Sequence, residues 1–187
     1  MGREKAIASR LVHDEGFLRL RKDTVELADG RTSTREVIEH PGAACIVPLF
    51  GDGRVLVERQ YRYPVDATLL ELPAGKIDRG ESPLVTARRE LEEETGYRAL
   101  EWAHLTTIYP CVGYSDERIE FFVARALEPG NRALEHGEHV EVEVMALSAL
   151  LDAVHRGQVP DSKSQIGILW LERLVEGAWP WPAFERV

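Results

Sequence analysis

Apolar and polar residues alternate near the start of the chain in a way that is typical of antiparallel strands. The stretches GFLRLRKDTVEL and TSTREVIEH are rich in β-forming residues, and they flank ADGR, in which Asp29-Gly30 suits a tight turn. We therefore expect a small antiparallel β element over residues 1–40, followed by a main domain over residues 41–187. In that domain GDG, between AACIVPLF and RVLVERQYRY, predicts a second hairpin, and TLLELPA predicts a short apolar strand.

The spacing of apolar residues becomes helical after residue 82. Ser82 can cap the helix, Pro83 suits its first position, and Gly96 suits the position just past its end. Four residues fall on one stripe that would face a core: Leu84, Ala87, Leu91 and Thr95. Glu90 and Glu94 lie on the flank of that stripe, one turn apart.

Strands and helices are mixed in the remainder of the chain. LEWAHLTTIY, RIEFFVARAL and EHVEVEVMAL predict strands, and two helices follow, one capped by Ser148 and closed by Gly157, the other covering about Ser164 to Glu176. Because the elements do not alternate regularly, the pattern favours an α/β (α+β) sandwich over a doubly wound sheet.

Composition and charge exclude several classes of protein. The chain has 187 residues, 44% of them hydrophobic and 29% charged, which is typical of a folded domain with a sizeable core. A formal net charge of −9 argues against nucleic acid or an anionic membrane as a partner. Cys45 and Cys111 form no CxxC pair, and the start lacks the apolar core of a signal peptide, so we expect a cytoplasmic protein with reduced thiols.

The predicted helix crowds four glutamates, Glu90, Glu92, Glu93 and Glu94, into a turn and a half. Like charges one turn apart destabilise a helix, so this crowding needs a reason. One explanation is a solvated acidic face. The other is a divalent cation, because Glu90 and Glu94 can converge on one hard ion such as Mg²⁺.

The stretch GKIDRGESPLVTARRELEEETGY resembles the Nudix box, the loop-helix-loop motif of hydrolases that act on nucleoside diphosphates linked to another group. Seven strictly specified positions match: Gly75, Glu81, Arg89, Glu90, Glu93, Glu94 and Gly96. The resemblance implies the Nudix fold, a mixed β-sheet sandwiched between helices.

It also implies a cation site. Glu90 and Glu94 would bind Mg²⁺, with Mn²⁺ as a substitute, Glu93 would hold a second ion or a bridging water, and the carbonyl of Ala74 would complete the shell. Arg89 would hold the box carboxylates in place.

Further stretches narrow the resemblance to the ADP-ribose pyrophosphatase branch: REVIEHPGA, ERQYRYPV, LLELPAGKI, YPCVGYSDE, GEHVEVEV and GQVPDSKS. In similar enzymes the arginine that matches Arg62 contacts the substrate, and acidic residues that match Glu36 and Glu71 lie near it. Val112 departs from the pattern, because relatives specific for ADP-ribose often carry a proline there. This departure leaves room for other nucleoside diphosphate sugars, such as GDP-mannose.

The resemblance also suggests how water is activated. Glu138 matches a glutamate that orients or deprotonates the attacking water in similar enzymes, and Glu141 is the alternative. His136 and His139 could form a metal pair, but the absence of a third partner nearby favours a solvated loop.

We therefore expect Mg²⁺-dependent hydrolysis of the pyrophosphate in ADP-ribose or a related nucleoside diphosphate sugar. The alternative is a Nudix-like sensor that binds such a ligand without cleaving it, but sensors often lose box carboxylates that this chain keeps. We also expect a homodimer, because the β element is too small to bury its own apolar face.

Overall fold

The computed structural model describes residues 2–134 and 137–187, and the chain divides into two compact units. The first runs from the N-terminus to Gly42 and includes Ile108–Arg118. It contains a three-stranded antiparallel sheet of β1 (Lys5–Glu15), β2 (Leu18–Glu26) and β3 (Thr32–Glu39), in the order β1-β2-β3. The predicted turn between β2 and β3 is confirmed, with Gly30 in the left-handed region at φ 82°.

Strand β1 was not predicted, and its exposure explains why. Every residue from Lys5 to Glu15 is exposed, including Ile7, Leu11 and Val12. A strand that buries neither face shows no alternation of apolar and polar residues, and that alternation is the main sequence signal for a strand.

The second unit contains two further sheets. One has the order β10-β5-β6, formed by β5 (Arg54–Arg62), β6 (Ala67–Glu71) and β10 (Val140–Ala146). The other has the order β11-β8-β9-β4-β7, formed by β4 (Ala43–Pro48), β7 (Ala74–Lys76), β8 (Tyr97–Ile108), β9 (Ile119–Pro129) and β11 (Glu185–Arg186). This sheet is mixed, because β4 is parallel to β9 and antiparallel to β7.

Helices cover both faces of the five-stranded sheet, as predicted. Helix α1 (Pro83–Thr95) packs its apolar stripe on one face, in a core that includes Ile46, Leu91 and Trp102. Helix α3 (Ser162–Val175) lies against the other face. A side chain at Gly167 would come within 3.2 Å of Val47 and 2.5 Å of Leu72, so the absence of a side chain allows α3 to approach closely.

Two sequence predictions were wrong in detail. The GDG turn forms a short hairpin, with Leu49 bridged antiparallel to Val55 and the Phe50 amide donating to the Arg54 carbonyl at 2.9 Å, but the pairing does not continue along β4 and β5. They diverge into different sheets, because β4 is buried on both sides by α1 and α3. Helix α2 (Leu147–His155) starts before Ser148, which therefore lies within the helix and does not cap it.

The remaining helix boundaries follow local chemistry. Helix α3 begins two residues before the predicted start because the Asp161 side chain accepts a hydrogen bond from the Ser164 amide. Within residues 2–134 and 137–187, no helix is both long and apolar enough to cross a membrane.

Candidate functional site

The caps predicted for α1 fix the position of the glutamate-rich segment. The Ser82 side chain accepts from the Val85 amide, Pro83 opens the helix, and Gly96 ends it at φ 74°. The segment before the helix is equally constrained. A Cβ on Gly75 would lie 1.9 Å from the carboxyl carbon of Glu90, so only glycine lets this carboxylate rest against the β7 backbone.

Arg89 is the internal counterion of the acidic helix. Its guanidinium donates to Glu90 at 2.8 Å, to Glu93 at 3.0 Å and to both oxygens of Glu81 at 3.2 and 3.1 Å. Burial opposes its charge, but these carboxylates together raise the pKa of Arg89 above its ordinary value. Arg89 therefore holds the box carboxylates in place, which is the role that the resemblance implies.

Glu90 and Glu94 carry perturbed pKa values. Burial is the main cause for Glu90 and raises its pKa to about 7 against the pull of Arg89. Glu94 is almost fully buried, and one oxygen accepts from the Ala74 amide at 3.2 Å. Burial, reinforced by the charges of Glu58 and Glu90, raises the pKa of Glu94 well above its usual range.

Glu58, on β5, is part of the same site and was not predicted. It is completely buried, and neither carboxylate oxygen has a hydrogen-bond partner within the described part of the chain. Desolvation is the main cause of its pKa of about 7, with Glu71 adding to it and Lys163 opposing it. We refer to Glu58, Glu90 and Glu94 as the buried acid cluster.

A network of buried charges lies beside the cluster. Arg62 donates two hydrogen bonds of 2.8 Å to the buried Glu71, through Nε and Nη2. Lys163 also donates to Glu71, and it donates to Asp161 at 2.9 Å. Burial alone would raise the pKa of Glu71, but Arg62 and Lys163 outweigh it and lower that pKa. The sequence predicted Arg62 and Glu71 as neighbours of the substrate, and the structure pairs them with each other.

The loop before β10 brings Glu138 towards the buried acid cluster. Burial is the main cause of the raised pKa values there, and the charge of Glu138 adds to all three. Arg132, which the sequence did not single out, donates to the carbonyls of Glu94 and Val140 and so joins the end of α1 to the start of β10. Glu141 is exposed on β10, opposite Arg59.

Four other residues were singled out in the sequence: His136, His139, Glu36 and Val112. His139 is exposed, and His136 lies outside the described residues. Glu36 and Val112 belong to the first unit, where Glu36 on β3 accepts from Lys22 at 3.1 Å and Val112 is 80% exposed.

The residues of the second unit suit a hard divalent cation. The buried acid cluster supplies carboxylate oxygens, the ligands that Mg²⁺ and Mn²⁺ prefer, and the oxygens of Glu58 have no hydrogen-bond partner in the part of the chain that the structure describes. Among the described residues, no three or more His, Cys, Asp or Glu side chains are arranged so that they could hold a metal ion. Arg89 donates hydrogen bonds to Glu90 and Glu93.

Comparisons with known proteins identify the family of this chain. Residues 39–164 match the NUDIX domain, and residues 4–38 match the nucleoside diphosphate sugar hydrolase N-terminal domain. The chain is 37% identical to an ADP-ribose pyrophosphatase of Bacillus subtilis (strain 168), over 90% of this chain and 92% of that protein. It is 35% identical, with the same coverage, to a methanol dehydrogenase activator of Bacillus methanolicus.

A solved structure described as an ADP compounds hydrolase has the same fold. Its TM-score is 0.83 at 20% identity, covering 94% of this chain and 95% of that one. The box helix, the acidic residues that it presents and the family match over residues 39–164 lead to one conclusion: the chain belongs to the Nudix family.

Proposed function

We propose that this protein hydrolyses the pyrophosphate bond of ADP-ribose or a related nucleoside diphosphate sugar, giving a nucleoside monophosphate and a sugar phosphate. The observation that carries the proposal is the buried acid cluster, which lies beside the cationic Arg62. A buried carboxylate such as Glu58, which has no hydrogen-bond partner among the described residues, is unfavourable in a resting protein, but it suits a cation that is to clamp a pyrophosphate.

The cation would be held by Glu90 and Glu94, with the carbonyl of Ala74 and with Glu93 as a ligand of a second ion or of a bridging water. Mg²⁺ is the ion that we propose, with Mn²⁺ as a substitute. When bound, such an ion supplies charge stabilisation at phosphoryl oxygens and lowers the pKa of water. The adjacent backbone is already shaped for it, because Gly75 admits the Glu90 carboxylate.

Arg62 would orient the diphosphate. Its paired contact with Glu71 occupies Nε and Nη2, which leaves Nη1 to donate to a phosphate oxygen. Glu71 fixes the plane of the guanidinium, and against the effect of burial the Arg62 hydrogen bonds and the charge of Lys163 lower the pKa of Glu71. A charged group held in advance loses little freedom when the substrate binds.

Glu138 would act as the general base. It is partly exposed on a loop, and its negative charge adds to the burial that raises the pKa of every member of the buried acid cluster. It could therefore accept a proton from water beside the bound diphosphate. Glu141 remains the alternative, although its exposed place on β10 supports the assignment less well.

A substrate panel tests the proposal. The purified chain, with Mg²⁺, is given ADP-ribose, GDP-mannose and other nucleoside diphosphate sugars, and the products are identified by chromatography. We expect nucleoside monophosphate and sugar phosphate, and Glu94→Gln serves as the matched inactive control. Because Val112 replaces the proline of ADP-ribose-specific relatives, we expect ADP-ribose to be preferred by no more than about tenfold. Ligand binding without any product from the panel would instead support a sensor.

We also propose a cytoplasmic homodimer in which residues 1–40 form the contact. In the first unit β1 is exposed throughout, and Phe17 and Leu18 are also exposed, so this unit presents apolar side chains that a second copy could cover. Both cysteines are free thiols, which agrees with a reducing compartment. A monomer by light scattering at micromolar concentration, with full activity, would contradict the dimer.

A further inference from the structure

Strand β5 carries buried oxygen atoms that bond to nothing in the described residues. They are both carboxylate oxygens of Glu58 and Oε1 of Gln60. Residues two apart on a strand point to the same face, so the Glu58 and Gln60 oxygens lie on one face of β5. The missing hydrogen bonds are therefore a property of that face and do not come from one misplaced side chain. Buried polar atoms are almost always paired in native proteins, and binding of an ion is one recognised reason for an exception.

The surroundings of Glu58 provide cations, but these are bonded elsewhere. Across the sheet Glu58 lies opposite Glu71 on β6 and Val142 on β10. Arg62 and Lys163 are close enough for their charges to act on Glu58, yet their hydrogen bonds go to Glu71 and Asp161. Among residues 2–134 and 137–187, the buried Glu58 carboxylate is therefore left with the negatively charged Glu71 opposite it and with no bonded counterion.

Packing alone does not explain a glutamate here. Positions 55–57, immediately before it on β5, are wholly apolar and buried. An apolar residue at position 58 would continue this buried surface without desolvating a charge. A hard divalent cation would supply what Glu58 lacks, because carboxylate oxygens are its preferred ligands.

We propose that Glu58 is an additional carboxylate ligand of the divalent cation, reaching it from β5 and not from the box helix. Glu94 is its neighbour in the buried acid cluster, so the ion would join a sheet residue to a helix residue. This inference rests on the proposed function, since it assigns a further ligand to the cation that the hydrolysis requires.

Direct measurement of Mn²⁺ binding tests the inference without turnover. The full chain is stripped with chelator and titrated with Mn²⁺ alone, with free Mn²⁺ followed by electron paramagnetic resonance. Glu58→Gln removes the charge and preserves the shape, and Glu58→Met fills the site without oxygen. Glu143→Gln is the matched control, because Glu143 lies opposite Val57 in the same sheet and pairs with Arg59. Unfolding in EDTA shows whether each variant folds.

We expect both Glu58 variants to bind Mn²⁺ at least about tenfold more weakly, while their unfolding midpoints in EDTA are no lower than that of the wild type. Glu143→Gln should bind like the wild type. Binding by both Glu58 variants within twofold of the wild type would overturn the inference and leave the proposed function intact. If neither Glu58 variant folds in EDTA, Glu58 is required for folding without metal, and this result would also overturn the inference. A wild-type chain that binds no Mn²⁺ would overturn the metal dependence itself.

Discussion

Removing the charge of Glu58 should change how the stability of the metal-free protein depends on pH. The pKa of Glu58 is raised from 4.5 to about 7 in the folded chain, chiefly by burial. Below pH 4.5 the group is protonated in both states, so burial carries no charge penalty. As the pH rises from 4.5 towards 7, the unfolded chain ionises first and unfolding becomes more favourable. Above pH 7 the penalty is complete, and Glu58→Gln should therefore gain stability over the wild type as pH rises.

The magnitude follows from the displacement of the pKa. One pKa unit corresponds to about 1.4 kcal/mol, so a group displaced from 4.5 to about 7 destabilises the fold by less than about 1 kcal/mol at pH 5 and by about 3 kcal/mol at pH 8. The difference in unfolding free energy between Glu58→Gln and the wild type should therefore grow by roughly 2 kcal/mol over this range. Any fixed cost of the buried amide is the same at both pH values and cancels.

Urea unfolding followed by tryptophan fluorescence in EDTA, at pH 5, 6, 7 and 8, measures this difference. Glu143→Gln, which removes a partly exposed carboxylate from the same sheet, is measured in parallel as the control. If the difference between Glu58→Gln and the wild type changes by less than about 0.5 kcal/mol from pH 5 to pH 8, Glu58 does not titrate as a buried group and the reasoning fails.

Three further predictions concern other parts of the site. Gly75→Ala places a methyl group 1.9 Å from the carboxyl carbon of Glu90. We therefore expect kcat/KM to fall at least about 100-fold while the circular dichroism spectrum stays unchanged. Retention of half the activity would contradict this. Lys163→Met leaves the buried Glu71 carboxylate without its ammonium partner. The free energy of unfolding in urea should therefore fall by about 3–5 kcal/mol, which is more than for Lys163→Arg. A loss below about 1 kcal/mol would argue against the network of buried charges. Glu138→Gln should lower kcat about 10²- to 10⁴-fold while KM and the dependence on Mg²⁺ stay nearly unchanged. If Glu138→Gln instead stays active and Glu141→Gln is inactive, Glu141 is the base.

The box helix could be predicted from the sequence because its determinants are local. Ser82 and Gly96 are close to the helix ends that they define, and the apolar stripe repeats at helical spacing between them. The same holds for the turn at Gly30, whose left-handed backbone suits glycine. Where a few neighbouring residues decide the conformation, the sequence was sufficient.

The parts that were not predicted depend on residues that are distant in sequence. Lys163 reaches Glu71 across 92 positions, and no pattern near either residue indicates the contact. Glu58 follows an apolar run, and a charged residue in that place predicts that the strand becomes exposed to solvent. Its burial becomes evident only once β6 and β10 are placed on both sides of β5. The divergence of β4 and β5 was missed for the same reason, since strand pairing is decided by what packs around them.

The buried acid cluster would link the stability of this protein to the proposed cation. Arg89 neutralises part of the acidic helix, but Glu58 has no bonded counterion among the described residues. The cost of ionising Glu58 near pH 8 is about 3 kcal/mol by the pKa argument above. A cation at 100 times its dissociation constant stabilises the folded state by about 2.7 kcal/mol, provided that it binds only that state. The two terms are of similar size, so the ion would offset most of the destabilisation that the site imposes. The negative charge that weakens the metal-free fold would then also be the charge that holds the proposed cation.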